Sequence, residues 1–85
     1  MPEISRFLGI VIAMFYRDHE PAHFHAFYGE FEVRVEIETG VLSGQFPRRA
    51  LAHVLEGCEL HKQELQANWK LTRERKPLKS IPPLE

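Results

Sequence analysis

Four residues within eight positions could hold a divalent cation or pass a proton: Asp18, His19, His23 and His25, in the run Asp-His-Glu-Pro-Ala-His-Phe-His. Imidazole nitrogens and carboxylate oxygens are donors that Zn²⁺ accepts, and three protein donors with a fourth position open make a zinc site of the catalytic kind. On a strand, His23 and His25 project from the same side. The short loop before them can fold back to bring a third donor. The metal reading names His19, His23 and His25 as ligands, with zinc as the ion and no other cofactor. Arg34 and Glu36 enter the same cluster through the strand register set out below. Together these residues also have the parts of a metal-independent RNA phosphodiesterase: a base, an acid and a cation for the phosphate. The plainer reading is a hydrogen-bonded structural cluster, with His23 paired to Glu36 and with Asp18 and His19 shaping a turn.

A sheet must position these groups. Residues 9–16 form an uninterrupted apolar run rich in β-formers and predict strand one, covered on both faces. Residues 17–22 are polar, contain Pro21 and predict a loop. Residues 23–28 and 31–37 flank Gly29-Glu30, and glycine at the first central position fits a type II′ turn. That turn sets Tyr28 against Phe31, Ala26 against Val33 and Phe24 against Val35 on one apolar face. On the other it sets Phe27 against Glu32, His25 against Arg34 and His23 against Glu36. A second hairpin through Thr39-Gly40 places Leu42 opposite Ile37, Gly44 opposite Val35 and Phe46 opposite Val33. Pro47 suits a helix start. Helical spacing of Leu51, Leu55, Cys58, Leu65 and Trp69 then continues to about Arg73, with Gly57 offering a place to bend or divide. The expected fold is α+β, a four-stranded antiparallel β-meander followed by one long C-terminal helix packed on one face. Residues 1–76 form a single domain. Residues 77–85, with three prolines, form an extended arm.

The chain has 85 residues, 44% apolar and 27% charged, which suits one small globular domain and not a disordered segment. No apolar run nears the roughly 20 residues of a membrane span. The first residues lack the basic-then-apolar pattern of a secretion signal. A lone cysteine, Cys58, cannot close an internal disulfide. A reducing, cytoplasmic setting and no membrane contact are expected. Net charge −1 argues against indiscriminate nucleic-acid binding. Residues 1–47 hold three arginines against seven acids, and residues 48–85 hold eight cations against five acids. The basic excess at Lys70, Arg73, Arg75, Lys76 and Lys79 complements a helix C-terminus, or faces an anionic partner. Cys58 on the apolar stripe reads as a buried thiol. Phe27 on the histidine face, His61 beside the stripe and Trp69 on it are candidate interface residues. One helix covers only one sheet face, and so short a chain buries little surface alone. The expected cover is a second copy, in a homo-oligomer, or a small cognate protein.

Several segments carry a family resemblance: residues 1–7, Asp-His-Glu-Pro-Ala-His-Phe-His-Ala at 18–26, residues 46–50, residues 59–65, Asn68-Trp69 and Ile-Pro-Pro-Leu at 81–84. The chain resembles the domain-of-unknown-function 4160 family of small bacterial proteins. The Asp-His-x-Pro-x-His-Phe-His-Ala element is the most specific part. Ala22 stands where a second proline is common, and Gly57 where a tryptophan is common. The resemblance carries over no catalytic residue. What the resemblance implies, from that family's small size and usual pairing with another small protein, is a component of a toxin–antitoxin-like two-gene module. The leading expectation is therefore a protein-interaction component of such a module. The alternatives are a metal- or histidine-dependent RNA phosphodiesterase using His23 and His25, and an operon-regulating nucleic-acid-binding module.

Overall fold

A computed structural model describes residues 3–82. Strands β1 (Glu3–Phe7), β2 (Ile10–Ala13), β3 (His23–Tyr28), β4 (Phe31–Glu36) and β5 (Leu42–Gln45) precede helices α1 (Arg48–Leu60) and α2 (Lys62–Arg73). The strands form one antiparallel sheet in sequence order. The class is α+β as expected, but there are five strands rather than four, and two helices rather than one.

The extra strand is β1. The apolar run at 9–16 is strand only over Ile10–Ala13, and Leu8-Gly9 turns the chain back onto Glu3–Phe7 with both residues at positive φ, 48° and 78°. Positive φ at both central positions is the mark of a type I′ hairpin turn. A bulge between Glu3 and Ser5 breaks the period-two pattern, so Ile4 and Ser5 are both buried. That lost alternation hid the strand in the sequence.

The central hairpin has the expected register at all six pairs, from His23 opposite Glu36 to Tyr28 opposite Phe31. Gly29 has φ 59° and Glu30 does not enter the positive region, as a type II′ turn requires. The next hairpin departs from expectation by two residues. Val35 faces Leu42 and Val33 faces Gly44. The loop is longer than a tight turn because Thr39 organises it: its Oγ1 donates to Glu36 Oε1 and accepts from the Val41 amide. The Ile37 amide bonds Ala22 O, one step beyond the His23–Glu36 pair on the β3 side, and not a residue of β5. Gly44, at φ 117°, lies so close to β4 that a Cβ would stand 2.5 Å from the Glu32 carbonyl oxygen, so glycine is required there.

Helix α1 starts after Pro47, as expected. The helical run divides at His61 (φ −115°, ψ 25°), and Gly57 stays inside α1, buried. The Leu65 amide still reaches His61 O, and His61 Nδ1 contacts Glu64 Oε1 at 2.6 Å. Beyond the division, α2 reaches the β2–β3 loop through Trp69 and Arg73. The core lies between one sheet face and the helices, with Ile12, Phe24, Ala26, Val33 and Val35 meeting Val54, Cys58, Leu65 and Trp69. The arm does not hang free through residue 82. Asn68, 1% exposed, donates to Lys79 O and accepts from the Lys79 amide. The Ile81 amide then bonds Ile4 O on β1. Leu84 lies outside the described residues.

Candidate metal centre

His23, His25 and Phe27 share the sheet face opposite the core, because alternate strand residues point the same way. Asp18 arrives from the β2–β3 loop. That loop is fastened to α2 and the residues just after it: the Arg73 guanidinium donates to the carbonyl oxygens of Asp18 and Tyr16, and Tyr16 Oη donates to Lys76 O at 2.8 Å. The Arg73 guanidinium also stacks on Trp69, 4.2 Å from the ring centre. Trp69 is held in turn by a bond from Nε1 to Glu20 Oε1 (3.1 Å) and packs against the His23 ring at 5.1 Å.

Both Nε2 atoms converge on a single oxygen. His23 Nε2 lies 3.0 Å and His25 Nε2 2.8 Å from Asp18 Oδ2. Each ring's other nitrogen has its own acceptor: Pro21 O at 2.8 Å from His23 Nδ1, and Glu32 Oε2 at 3.1 Å from His25 Nδ1. A backbone carbonyl only accepts, so His23 Nδ1 carries a proton. If that ring is neutral, its Nε2 turns a lone pair toward a carboxylate oxygen, which repels it. With Nδ1 of His25 donating to Glu32, the same holds for the second ring. A proton on Nε2 or a cation between ring and carboxylate removes that repulsion, and the spacing of the donors allows the second. One donor atom from each of Asp18, His23 and His25 lies within 4.8 Å of the others.

The surroundings suit ligand histidines. Histidines that bind metals pass their second N–H to a carbonyl or carboxylate, which fixes the tautomer and ring orientation. Phe15 stands edge-on to His25 at 4.8 Å and Phe27 stacks beside it at 6.2 Å. The His23 side chain is 3% exposed and that of Asp18 is 26%, so solvent approaches from the Asp18 side.

The other residues singled out in the sequence lie at varying distance from this group. His19 is exposed and sits outside it. Glu36 faces His23 in register, but its carboxylate accepts from Thr39, and Asp18 takes the place opposite the imidazole. Arg34 is the cross-strand neighbour of His25 and has no side-chain bond among the described residues. His61 pairs with Glu64 at the helix bend, away from the centre. Trp69, read as core or interface, is a wall of the site. Burial first, then Glu59, pushes the Cys58 thiol up, while Lys62 opposes this weakly. The thiol stays protonated and unreactive near neutral pH.

The sequence reading missed the Pro21 carbonyl, Glu32, Glu20 and the part played by Arg73. Glu32 was within reach. It is the diagonal neighbour of His25 in the register already derived, and such diagonals touch when side chains are long. The contacts across 49 to 57 residues from Trp69 and Arg73 have no local signal.

A family model described as a domain of unknown function (DUF4160) matches residues 9–70. The chain belongs to this DUF4160 family. The matched span contains Asp18, Glu32, both strand histidines and Trp69, so the whole centre lies within the DUF4160 domain; Arg73 and the arm lie beyond it. No curated protein and no solved structure matches the chain. No helix among the described residues is long and apolar enough to cross a membrane.

Proposed function

We propose that the protein is a divalent-metal-binding domain with Asp18, His23 and His25 as donors, zinc as the ion, and metal-assisted hydrolysis as its reaction class. One observation carries the reading: two imidazoles with outer acceptors on Nδ1 turn both Nε2 atoms onto one carboxylate oxygen. Structural zinc sites close with four protein ligands, whereas three leave a position for water or substrate, and the ion then acts as a Lewis acid. Two nitrogens and one oxygen suit zinc or a similar transition ion better than magnesium or calcium. Metal titration of the stripped protein by calorimetry, and absorbance with Co²⁺, test the reading. One ion per chain is expected. His25→Ala should weaken binding by roughly 100-fold or more, and Glu32→Gln by about tenfold, as an outer partner does. No binding, or an unchanged affinity in His25→Ala, would overturn it.

A second reading, a protein-interaction component of a toxin–antitoxin-like pair, is supported by the opposite end of the molecule. There Leu8, Tyr28 and Phe31 are 58%, 38% and 44% exposed. Leu8 and Tyr28 also line a groove with Pro47, Ala50 and His53. Exposed apolar side chains gathered in this way suit a partner. Light scattering of the chain alone and with the neighbouring gene's product checks this, and a monomer indifferent to that product would rule it out.

A further inference from the structure

Beside the centre runs an open groove of about 490 Å³ lined by Tyr16, Arg17, Asp18, His19, Arg73 and Arg75. It gathers three arginines and a histidine in a chain whose net charge is −1. Its one carboxylate, Asp18, already faces two imidazoles. Arg73 is occupied by the loop carbonyls and the Trp69 ring. The side chains of Arg17 and Arg75 are exposed and make no hydrogen bond or ion pair among the described residues.

Arg75 is also an unusual way to end a helix. Its amide bonds Thr72 O and the next amide bonds Leu71 O, the paired bonds of a Schellman cap. Its φ is 56°, the left-handed conformation that glycine or asparagine adopts most easily. Lys70 and Arg73 already place cations in the last turn, so the helix dipole does not require a third. An arginine kept where the backbone prefers glycine points to work for its side chain.

We infer that this groove binds a phosphate ester, with Arg17 and Arg75 as the anion-holding side chains; the inference rests on the metal reading, because Asp18 belongs to both groove and centre. Guanidinium groups match phosphate oxygens with paired donors. Hydrolysis of the ester forms a phosphorus–oxygen bond from water and breaks the ester phosphorus–oxygen bond. The water proton ends on the departing alcohol, and no further reactant is needed.

The test uses the full chain, zinc-loaded and zinc-free. Inorganic phosphate is titrated first, then 4-nitrophenyl phosphate as a monoester and bis(4-nitrophenyl) phosphate as a diester. Arg17→Gln and Arg75→Gly should each weaken phosphate binding roughly tenfold while zinc still binds. Arg75→Gly should melt at the same temperature or higher, since it relaxes the cap. Preference for one ester fixes the substrate form and supports the proposal. Phosphate held by zinc-free protein and lost in the double variant supports the groove even where zinc binding fails. Unchanged phosphate affinity in the double variant, no binding of any of the three probes, or a lower melting temperature in Arg75→Gly would overturn it.

Discussion

Strand β3 begins with His23, 2% exposed and bonded through both ring nitrogens, and ends with Tyr28, 38% exposed and paired with Phe31 at 44%. One six-residue strand joins a fully partnered polar end to an open apolar one. At the first end a polar loop is held by long-range bonds, Arg73 to two carbonyls and Trp69 to Glu20 from α2, and Tyr16 to Lys76 just beyond it. At the second, two tight two-residue turns, Leu8-Gly9 and Gly29-Glu30, close their hairpins through local pairing. A buried polar group without a partner costs about 1–3 kcal/mol, so a polar end must be assembled completely. An apolar turn end carries no such demand. The order built around Asp18 thus depends on polar bonds from distant parts of the chain, whereas Tyr28 meets its distant neighbours, Phe46 among them, only through apolar contact.

Substitutions at the two ends should separate them. The largest loss is expected for His23→Ala, about 2–3 kcal/mol in urea unfolding, because it opens a buried space against Trp69 and leaves Asp18 with one imidazole. A loss below about 0.5 kcal/mol would mean the polar end is no more tightly assembled than the apolar one. Arg73→Gln should come next at about 1 kcal/mol. Its sharper readout is faster amide exchange through residues 16–20 with little change at the Gly29 turn, since only the first loop is tied to α2. Equal effects on both loops would contradict the asymmetry. The smallest effect is expected for Phe31→Ser, about 0.5 kcal/mol, because nearly half of the residue is already in water beside a turn. A cost near 2 kcal/mol would show that the apolar end is packed more firmly than its exposure indicates.

The central hairpin was legible in the sequence because a two-residue turn with glycine in first place fixes register, and register fixes faces. The shared side of His23 and His25 followed directly. The Thr39-Gly40 turn was read as equally tight, but the Thr39 side chain enlarges the loop by bonding Glu36 and Val41. Helical spacing carried the run from Pro47 to Arg73 but not its division at His61, where the periodicity continues through the bend. Within the candidate site, residue types and strand parity brought out Asp18, His23 and His25. What local pattern could not give was the folding of the loop: whether Asp18 or His19 turns inward depends on the Arg73 and Tyr16 attachments to α2 and the residues just after it.

The sheet has two rims, and they are finished differently. The arm runs along β1, with Asn68 gripping Lys79 and Ile81 bonded to Ile4. Strand β5 pairs only with β4, and all four of its residues are exposed, with no charge or proline among them. Natural sheets generally blunt such a border to discourage templated growth. Here one border carries the chain's own tail at Ile4 and Ser5, and the other carries nothing among the described residues. A second chain adding a strand at β5 would cover that border and meet, at the far side of the sheet, a rim where Ile4 already has a partner.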